Sequence, residues 1–468
     1  MTIHSNTLQN LWNAELIKKY NLSGPRYTSY PTAPQFSEDF DENKWLEAVS
    51  RSNKTKQPLS LYFHIPFCDT VCYYCGCNKI VTANKERATP YLKALHKEMM
   101  LQADYIDTRR VVEQLHWGGG TPTYINDQQM ARLMEVTRDI FTLADDEQGE
   151  YSIEIHPHGV TPERVAYLRN LGFNRISMGV QDFDPTVQKA VNRFNSESEV
   201  RDLADAIRAN NFKSFSLDLI YGLPHQTKDS FLATLDKVIH ISPDRLSVFN
   251  YAHMPHLFKT QKQIDAQYLP EPQEKLKILH ATIERLLEAG YVYIGMDHFA
   301  KPDDELTLAQ QHGSLNRNFQ GYATRAECDL FAFGVSSISF FGDTYCQNQK
   351  NIDNYYTAIA DNRLPLTKGI QLTQDDLIRR YIINQLICNF ELNFKKVETH
   401  FNIQFAEYFQ SELTALKSLE EDGLLILDKN GIRVELSGRL LIRHICMTFD
   451  AYIDNTTTTS QPKYSRIL

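Results

Sequence analysis

The chain has 468 residues, 42% of them hydrophobic and 23% charged, and its 49 basic and 58 acidic side chains leave a formal net charge of −9. That length accommodates one large domain and a smaller one around a sizeable core, and the acidic balance argues against a general nucleic-acid-binding surface. No run of roughly 18 apolar residues stands out as a membrane span, and MTIHSNTLQNLWNAEL has no apolar signal-peptide core.

Residues 1–52 precede the first strong strand. The stretch Asn21–Thr32 is rich in turn formers and reads as irregular. As a surface linker it would leave Arg26, Tyr27 and Tyr30 mobile; as a segment laid over an active-site mouth it would use them. From about residue 59 a rhythm begins. Strand-like runs at Leu59–Phe67, Val111–Trp117, Tyr151–Ile155, Asn174–Val180, Ser214–Ile220 and Arg245–Tyr251 alternate with helical patterns at Arg87–Ala103, 126–141, 161–171, 198–210 and 227–240. Strands alternating with helices imply parallel β/α units, and six of them predict an incomplete TIM-like (β/α)6 barrel. The functional residues of such barrels sit at the C-terminal strand ends. Here those ends carry a cysteine loop, a glycine run, Glu154, Gln181, Asp218 and the word Tyr251-Ala252-His253.

Residues 255–375 read as less regular. A helix is expected over Glu274–Glu288 and buried or strand-like character over Phe331–Phe341, while polar Asp297–Arg325 is too long for a plain connector and is expected to form a substrate wall. Residues 376–468 read as a smaller, mainly helical domain. Helices at 374–389, 395–400 and 404–422 lead to a hairpin signalled by Asn430-Gly431 and a final helix over Ser437–Ile453. This resembles a winged helix, but the acidic Glu420-Glu421-Asp422 argues for a lid or scaffold rather than DNA binding. Thr456–Thr459 reads as a loose tail. The domains expected are thus an N-terminal extension over 1–52, a barrel with its wall over 53–375 (core about 53–289) and a helical domain over 376–468.

The densest chemistry lies in His64–Asn78. Cys68, Cys72 and Cys75 form a C-x3-C-x2-C array, and Cys77 follows. Closely spaced thiolates on one loop suit an iron–sulfur cluster. With three protein ligands, a [4Fe–4S] cluster keeps one iron open for chemistry. A disulfide knot would need an oxidising compartment, structural zinc would want a second ligand pair, and Cys77 would have to crowd Cys75 to complete a four-thiolate cluster. Cys328, Cys346, Cys388 and Cys446 have no ligand spacing and read as small, mostly buried hydrophobes. A reducing, cytoplasmic location is expected.

The cysteine array resembles the signature of the radical S-adenosylmethionine (SAM) enzymes. The words GPRYTSYPT, HIPFC, CGCNKI, HWGGGTPTY, SMGVQDF, DLIYGLP, RLSVFNYAH, GMDHFA, RNFQGY and GRLLIR resemble, from about Tyr20 onward, the oxygen-independent coproporphyrinogen III oxidases of haem synthesis. The resemblance implies a [4Fe–4S] cluster on Cys68, Cys72 and Cys75, with Cys77 off the cluster, and two SAM molecules. Reductive cleavage of SAM would yield a 5′-deoxyadenosyl radical that takes a hydrogen from the β-carbon of a propionate. Carbon dioxide leaves and a vinyl group remains, twice per coproporphyrinogen III, giving protoporphyrinogen IX.

The same resemblance marks Tyr62 and Glu154 as catalytic. It puts Tyr62, Gly119, Glu154 and Ile338 at the first SAM, and Tyr74, Gly120, Thr121, Gln181, Arg193, Asp218 and Ala252 at the second. His64 flanks the cluster loop, and Phe319 and Gln320 are expected near the second SAM. Taken singly, Glu154 reads as half of a salt bridge, Gly118-Gly119-Gly120 as a tight turn, and Gln181, Arg193 and Asp218 more often as structural; together at successive strand ends the last three read as ligand contacts. Arg26, Lys301, Arg317 and Arg325 are candidates for the substrate carboxylates by type and region alone; singly each reads as a solvated surface charge. His156-Pro157-His158 departs from the family pattern, in which an acidic residue often follows Glu154. An unidentified electron donor and acceptor and a monomer are expected, with no nucleic-acid or membrane partner. A related haem carrier without catalysis, or a protein using the loop as a metal staple, are the rival readings.

Overall fold

The structure, a computed structural model, describes residues 11–325 and 327–453. The tail at Thr456–Thr459 lies outside the described residues. The chain folds into two compact units: Phe36–Lys275 with Glu327–Gln371, and Met1–Gln35 with Leu276–Ala326 and Leu372–Leu468.

The first unit is built on six parallel strands: β1 (Leu59–Ile65), β2 (Val111–Gly119), β3 (Glu150–Ile155), β4 (Arg175–Gln181), β5 (Ser214–Tyr221) and β6 (Arg245–Asn250). They lie side by side in chain order. Helices Ala88–Ala103, Asp127–Ile140, Pro162–Asn170, Glu197–Ala209 and Lys228–Ile241 separate them, each within a residue or two of its predicted span. Asn126, Ser196 and Thr227 open three of these helices as reciprocal capping boxes, which satisfies first-turn N–H groups. On the sheet, β6 does not meet the opposite edge, so the barrel is incomplete.

The period-2 alternation of the strands divides the sheet into two faces. Leu61, Phe63, Leu115, Trp117, Tyr151, Ile153, Leu217 and Leu219 are fully buried. The alternate positions are polar or glycine: Tyr62, His64, His116, Gly118, Ser152, Glu154, Ser177, Gly179 and Asp218. Register puts these polar positions in rows, with Tyr62 beside His116 and His116 beside Ser152, then Glu154 beside Ser177, then Gly179 beside Asp218 and Asp218 beside Ser247.

The stretch Phe331–Phe341 is two strands rather than one. β7 (Asp329–Phe333) pairs parallel to β1, and β8 (Ile338–Phe341), β9 (Thr344–Asn348) and β10 (Leu366–Gln371) follow antiparallel. Asp329 anchors the start of β7 by accepting from Arg110, Ser52 and the Gly342 N–H.

In the second unit Asp297–Arg325 is more regular than its polar composition suggests. It holds a strand (His298–Ala300), a helix (Glu305–Gln311) and a small hairpin (Asn316–Asn318 with Gly321–Ala323). Helix Gln374–Asn389 and its successors lead to a three-stranded sheet of Glu391–Asn393, Gly431–Val434 and Leu425–Leu427. The hairpin turn closes through Asp428, whose carboxylate accepts from the Asn430 and Gly431 N–H groups. The expected final helix breaks into Leu436–Arg439 and Ile442–Met447. Leu440, Leu441 and Ile442 are all buried, and three successive residues cannot share one helix face. The turn-rich Asn21–Thr32 segment is packed into this unit: Tyr27 and Tyr30 are buried, Tyr27 donates to Asp450, and Tyr30 accepts from the Ala451 N–H.

Candidate active site

The site is built on the polar face of β1–β6. After β1 the chain turns through Pro66 into a loop held by backbone bonds, with Ile80 N–H donating to Pro66 O (2.7 Å), Thr82 N–H to Cys68 O (2.9 Å) and Tyr73 N–H to Val191 O (3.0 Å). Thr121 Oγ1 lies 3.6 Å from Cys68 Sγ, and Arg193 Nη1 3.6 Å from Cys72 Sγ. Lys79 Nζ donates to Cys75 O at 2.8 Å. Burial pushes the Cys68 thiol up to about 11, whereas the neighbouring Cys77 thiol and the Lys79 ammonium bring Cys75 down to about 6. Cys72 is buried and Cys77 exposed.

The glycine run ending β2 crosses directly behind this loop. Gly119 has φ +115°, a conformation that favours glycine, and a Cβ there would meet the His64 ring at 2.7 Å. A Cβ on Gly120 would meet the Pro66 carbonyl at 2.7 Å. The Gly120 N–H donates to Ile65 O and the Thr121 N–H to Phe67 O, so β2 and the cysteine loop are pinned together.

Glu154, at the end of β3, accepts from the Gly119 N–H (Oε2, 3.1 Å) and meets His116 Nε2 (Oε1, 3.2 Å). His116 Nδ1 meets Ser152 Oγ at 2.5 Å, and Tyr62 stacks on the imidazole at 5.7 Å. Burial raises the Glu154 carboxyl, but His116 and the Gly119 N–H outweigh it and hold the group below the usual carboxylate range. Tyr62 also meets His64 Nδ1 (3.1 Å), while His64 Nε2 meets Asn78 O (2.9 Å). Burial lowers the His64 pKa, so the ring is neutral: its Nε2–H donates to Asn78 and Nδ1 accepts from the phenol.

Asp218 accepts from Ser177 at 3.2 Å. Burial first, and the Glu154 charge second, raise it to about 6. Arg193 donates to Gly179 O. Gln181 holds φ 72° and is 9% exposed, an uncommon conformation for a non-glycine residue. Its Oε1, like Arg193 Nε, is buried without a hydrogen-bond partner among the described residues. Such atoms are costly unless a ligand satisfies them. Tyr74 packs against Val187, Val191, Leu223, Tyr251 and Ile264, and its backbone O and that of Ala252 accept from Gln261. Ile338 begins β8.

The Radical SAM superfamily profile matches residues 62–238, and the HemN C-terminal domain profile matches residues 372–441. The oxygen-independent coproporphyrinogen III oxidase of Pseudomonas aeruginosa is 50% identical over 457 residues, 98% of this chain and 99% of that one. The enzyme of the same name from Salmonella typhimurium is 51% identical over 98% of both chains. The solved structure of coproporphyrinogen III oxidase (HemN) from Escherichia coli, described as a radical SAM enzyme, superposes with a TM-score of 0.90 at 50% identity, covering 95% of this chain and all of that one. The chain belongs to the oxygen-independent coproporphyrinogen III oxidase family.

Radical SAM enzymes use a [4Fe–4S] cluster and SAM, and the residues of this family member fit both. Three cysteines share one loop, and Arg193, which keeps a buried unsatisfied Nε, lies beside Cys72. Among the described residues no three His, Cys, Asp or Glu side chains converge on a single ion; a four-iron cube needs its thiolates spread to three corners instead. Burial disfavours a free thiolate at Cys68, and a coordinating metal supplies the charge that removes its proton. No helix among the described residues is long and apolar enough to cross a membrane.

Other expected residues belong to the second unit. Phe319 and Gln320 form the turn of the small hairpin, where the Gln320 N–H donates to Asn318 Oδ1. Arg26 is ion-paired with Asp297. Lys301 is half-buried and Arg325 exposed, while Arg317 is buried and not the surface charge its composition suggests. His116 was missing from the expected site. Period-2 alternation puts His116 and Gly118 on the polar face of β2, but the partner of His116 depends on the β2–β3 register. His156 follows Glu154 where the family pattern often has an acidic residue. It is half-buried just past β3, and burial and the Arg193 cation bring it down to about 2, so it is neutral.

Proposed function

We propose that this chain catalyses the oxidative decarboxylation of two propionate side chains of coproporphyrinogen III to vinyl groups, giving protoporphyrinogen IX. The observation that carries the reading is the meeting, at the ends of adjacent parallel strands, of the three-cysteine loop, the glycine run and the Glu154 carboxylate. Each conversion takes –CH2–CH2–COO⁻ to –CH=CH2 plus CO2, one hydrogen atom and one electron. The cluster and SAM, when bound, supply the hydrogen-atom abstraction; an unidentified donor reduces the cluster, and an unidentified acceptor takes the remaining electron.

Within this reading Cys68, Cys72 and Cys75 hold the cluster. Gly119, Glu154, Tyr62 and Ile338 bind the first SAM, with the ionised Glu154 suited to a cationic amine or ribose hydroxyls. Tyr74, Gly120, Thr121, Gln181, Arg193, Asp218 and Ala252 bind a second. Residues 1–52 act as a lid, 53–375 as the catalytic barrel with its wall, and 376–468 as a helical scaffold, in a cytoplasmic monomer. The test is anaerobic reconstitution with iron, sulfide, reductant, SAM and coproporphyrinogen III. Protoporphyrinogen IX and 5′-deoxyadenosine are the expected products; SAM consumption without any vinyl product overturns the reading.

A further inference from the structure

The second unit contains a buried cation with no anionic partner among the described residues. Arg317 is 5% exposed, and its Nε and Nη1 are buried without a hydrogen-bond partner among the described residues. Its guanidinium lies 4.8 Å from the centre of the Tyr322 ring, directly across the small hairpin. The Tyr322 hydroxyl is committed elsewhere, donating to Ile387 O at 3.1 Å. A second guanidinium repeats the arrangement: Arg439 lies 4.6 Å from the Phe390 ring centre, with its buried Nε also unpartnered. Glu435, the acid that pulls on Arg439, is hydrogen-bonded to Arg433. Gly295 joins the two, since a Cβ there would meet Tyr322 Oη at 2.6 Å and Phe390 Cζ at 3.1 Å.

Burying a guanidinium without an anion is costly, and an aromatic face recovers only part of that cost. A bound anion would relieve that cost. A guanidinium presents its donors as a planar fork matched to a carboxylate or a phosphate.

We propose that Arg317, stacked on Tyr322, is a carboxylate-binding subsite that takes a propionate of the tetrapyrrole. The inference rests on the proposed substrate and adds a residue that recognises it. The subsite binds one carboxylate; it takes no part in the radical chemistry.

The test uses full-length, anaerobically reconstituted protein and fluorescence titration with coproporphyrin III, a stable tetracarboxylate, against its tetramethyl ester. R317Q should weaken coproporphyrin III binding about tenfold or more, with no change for the ester and unchanged cluster absorbance. R317K, which keeps the charge but loses the fork, should fall between the two. If R317Q proves unstable, R317K decides. Equal coproporphyrin III affinity in wild type and the folded variant overturns the subsite, as does an equal loss for acid and ester. If wild type binds the tetracarboxylate through Arg317 yet forms no vinyl product, the subsite stands and the decarboxylation reading fails.

Discussion

At the residue scale, the ionisation states of the site follow from a contest between burial and partners. Cys72 is buried beside Arg193, and a serine hydroxyl there would not ionise to ligate iron. Cys72→Ser should abolish SAM cleavage, measured as 5′-deoxyadenosine, and leave the reconstituted protein without its iron–sulfur absorbance. His116 holds Glu154 ionised. His116→Ala should raise the KM for SAM about 10- to 100-fold, the cost typical of losing a supporting hydrogen bond. It should also move the acid limb of the pH–rate profile to higher pH, because the carboxyl loses a group that holds its pKa down. Asp218 is the opposite case, raised to about 6. The native state then holds a proton that the unfolded chain releases from about pH 4, so this group's contribution to stability declines as pH rises through that window. Asp218→Asn should therefore melt higher than wild type at pH 7.5, by up to about 3 kcal/mol in unfolding free energy, with the gain gone near pH 4. Loss of activity alongside that gain would mark a carboxylate kept for function.

At the element scale, the parallel strands are unusual in carrying polar side chains on alternate positions. Strands covered on both faces normally read as continuous apolar runs; here one face packs under helices and the other lines the site. The elements are joined where glycine lets one backbone lie on another. Gly120→Ala would set a methyl 2.7 Å from the Pro66 carbonyl, and backbone cannot swing aside as a side chain can. We expect a loss of roughly 1–3 kcal/mol in urea unfolding of the apoprotein, and a displaced cysteine loop visible as weakened iron incorporation. The period-2 and 3.6 patterns made these strands and helices readable within a residue or two. The split of Phe331–Phe341 into β7 and β8 was not readable, because a continuous apolar run does not say where it reverses. The broken final helix escaped for a related reason: its composition suits a helix, and only the burial of Leu440, Leu441 and Ile442 together breaks it.

At the scale of the whole molecule, chain segments far apart in sequence share one compact unit. Arg443 is 2% exposed and donates from Nε to Pro25 O at 2.8 Å, and also to Gly24 O. Arg443→Met should orphan both carbonyls at roughly 1–3 kcal/mol each. A lower melting temperature and faster tryptic cleavage after Arg26 are the expected readouts; an unchanged digestion pattern would deny that this contact holds the N-terminal segment. The cysteine spacing, the strand–helix rhythm and the family words are local properties of the chain, and by itself the sequence determined the barrel class, the cysteine loop and the family from them. Only the tertiary structure decided that His116 supports Glu154, that Gln181 and Arg193 keep buried atoms unsatisfied, and that Arg317 is an interior cation. Those facts depend on strand register and on what surrounds a side chain, and neither is written in the order of neighbouring residues.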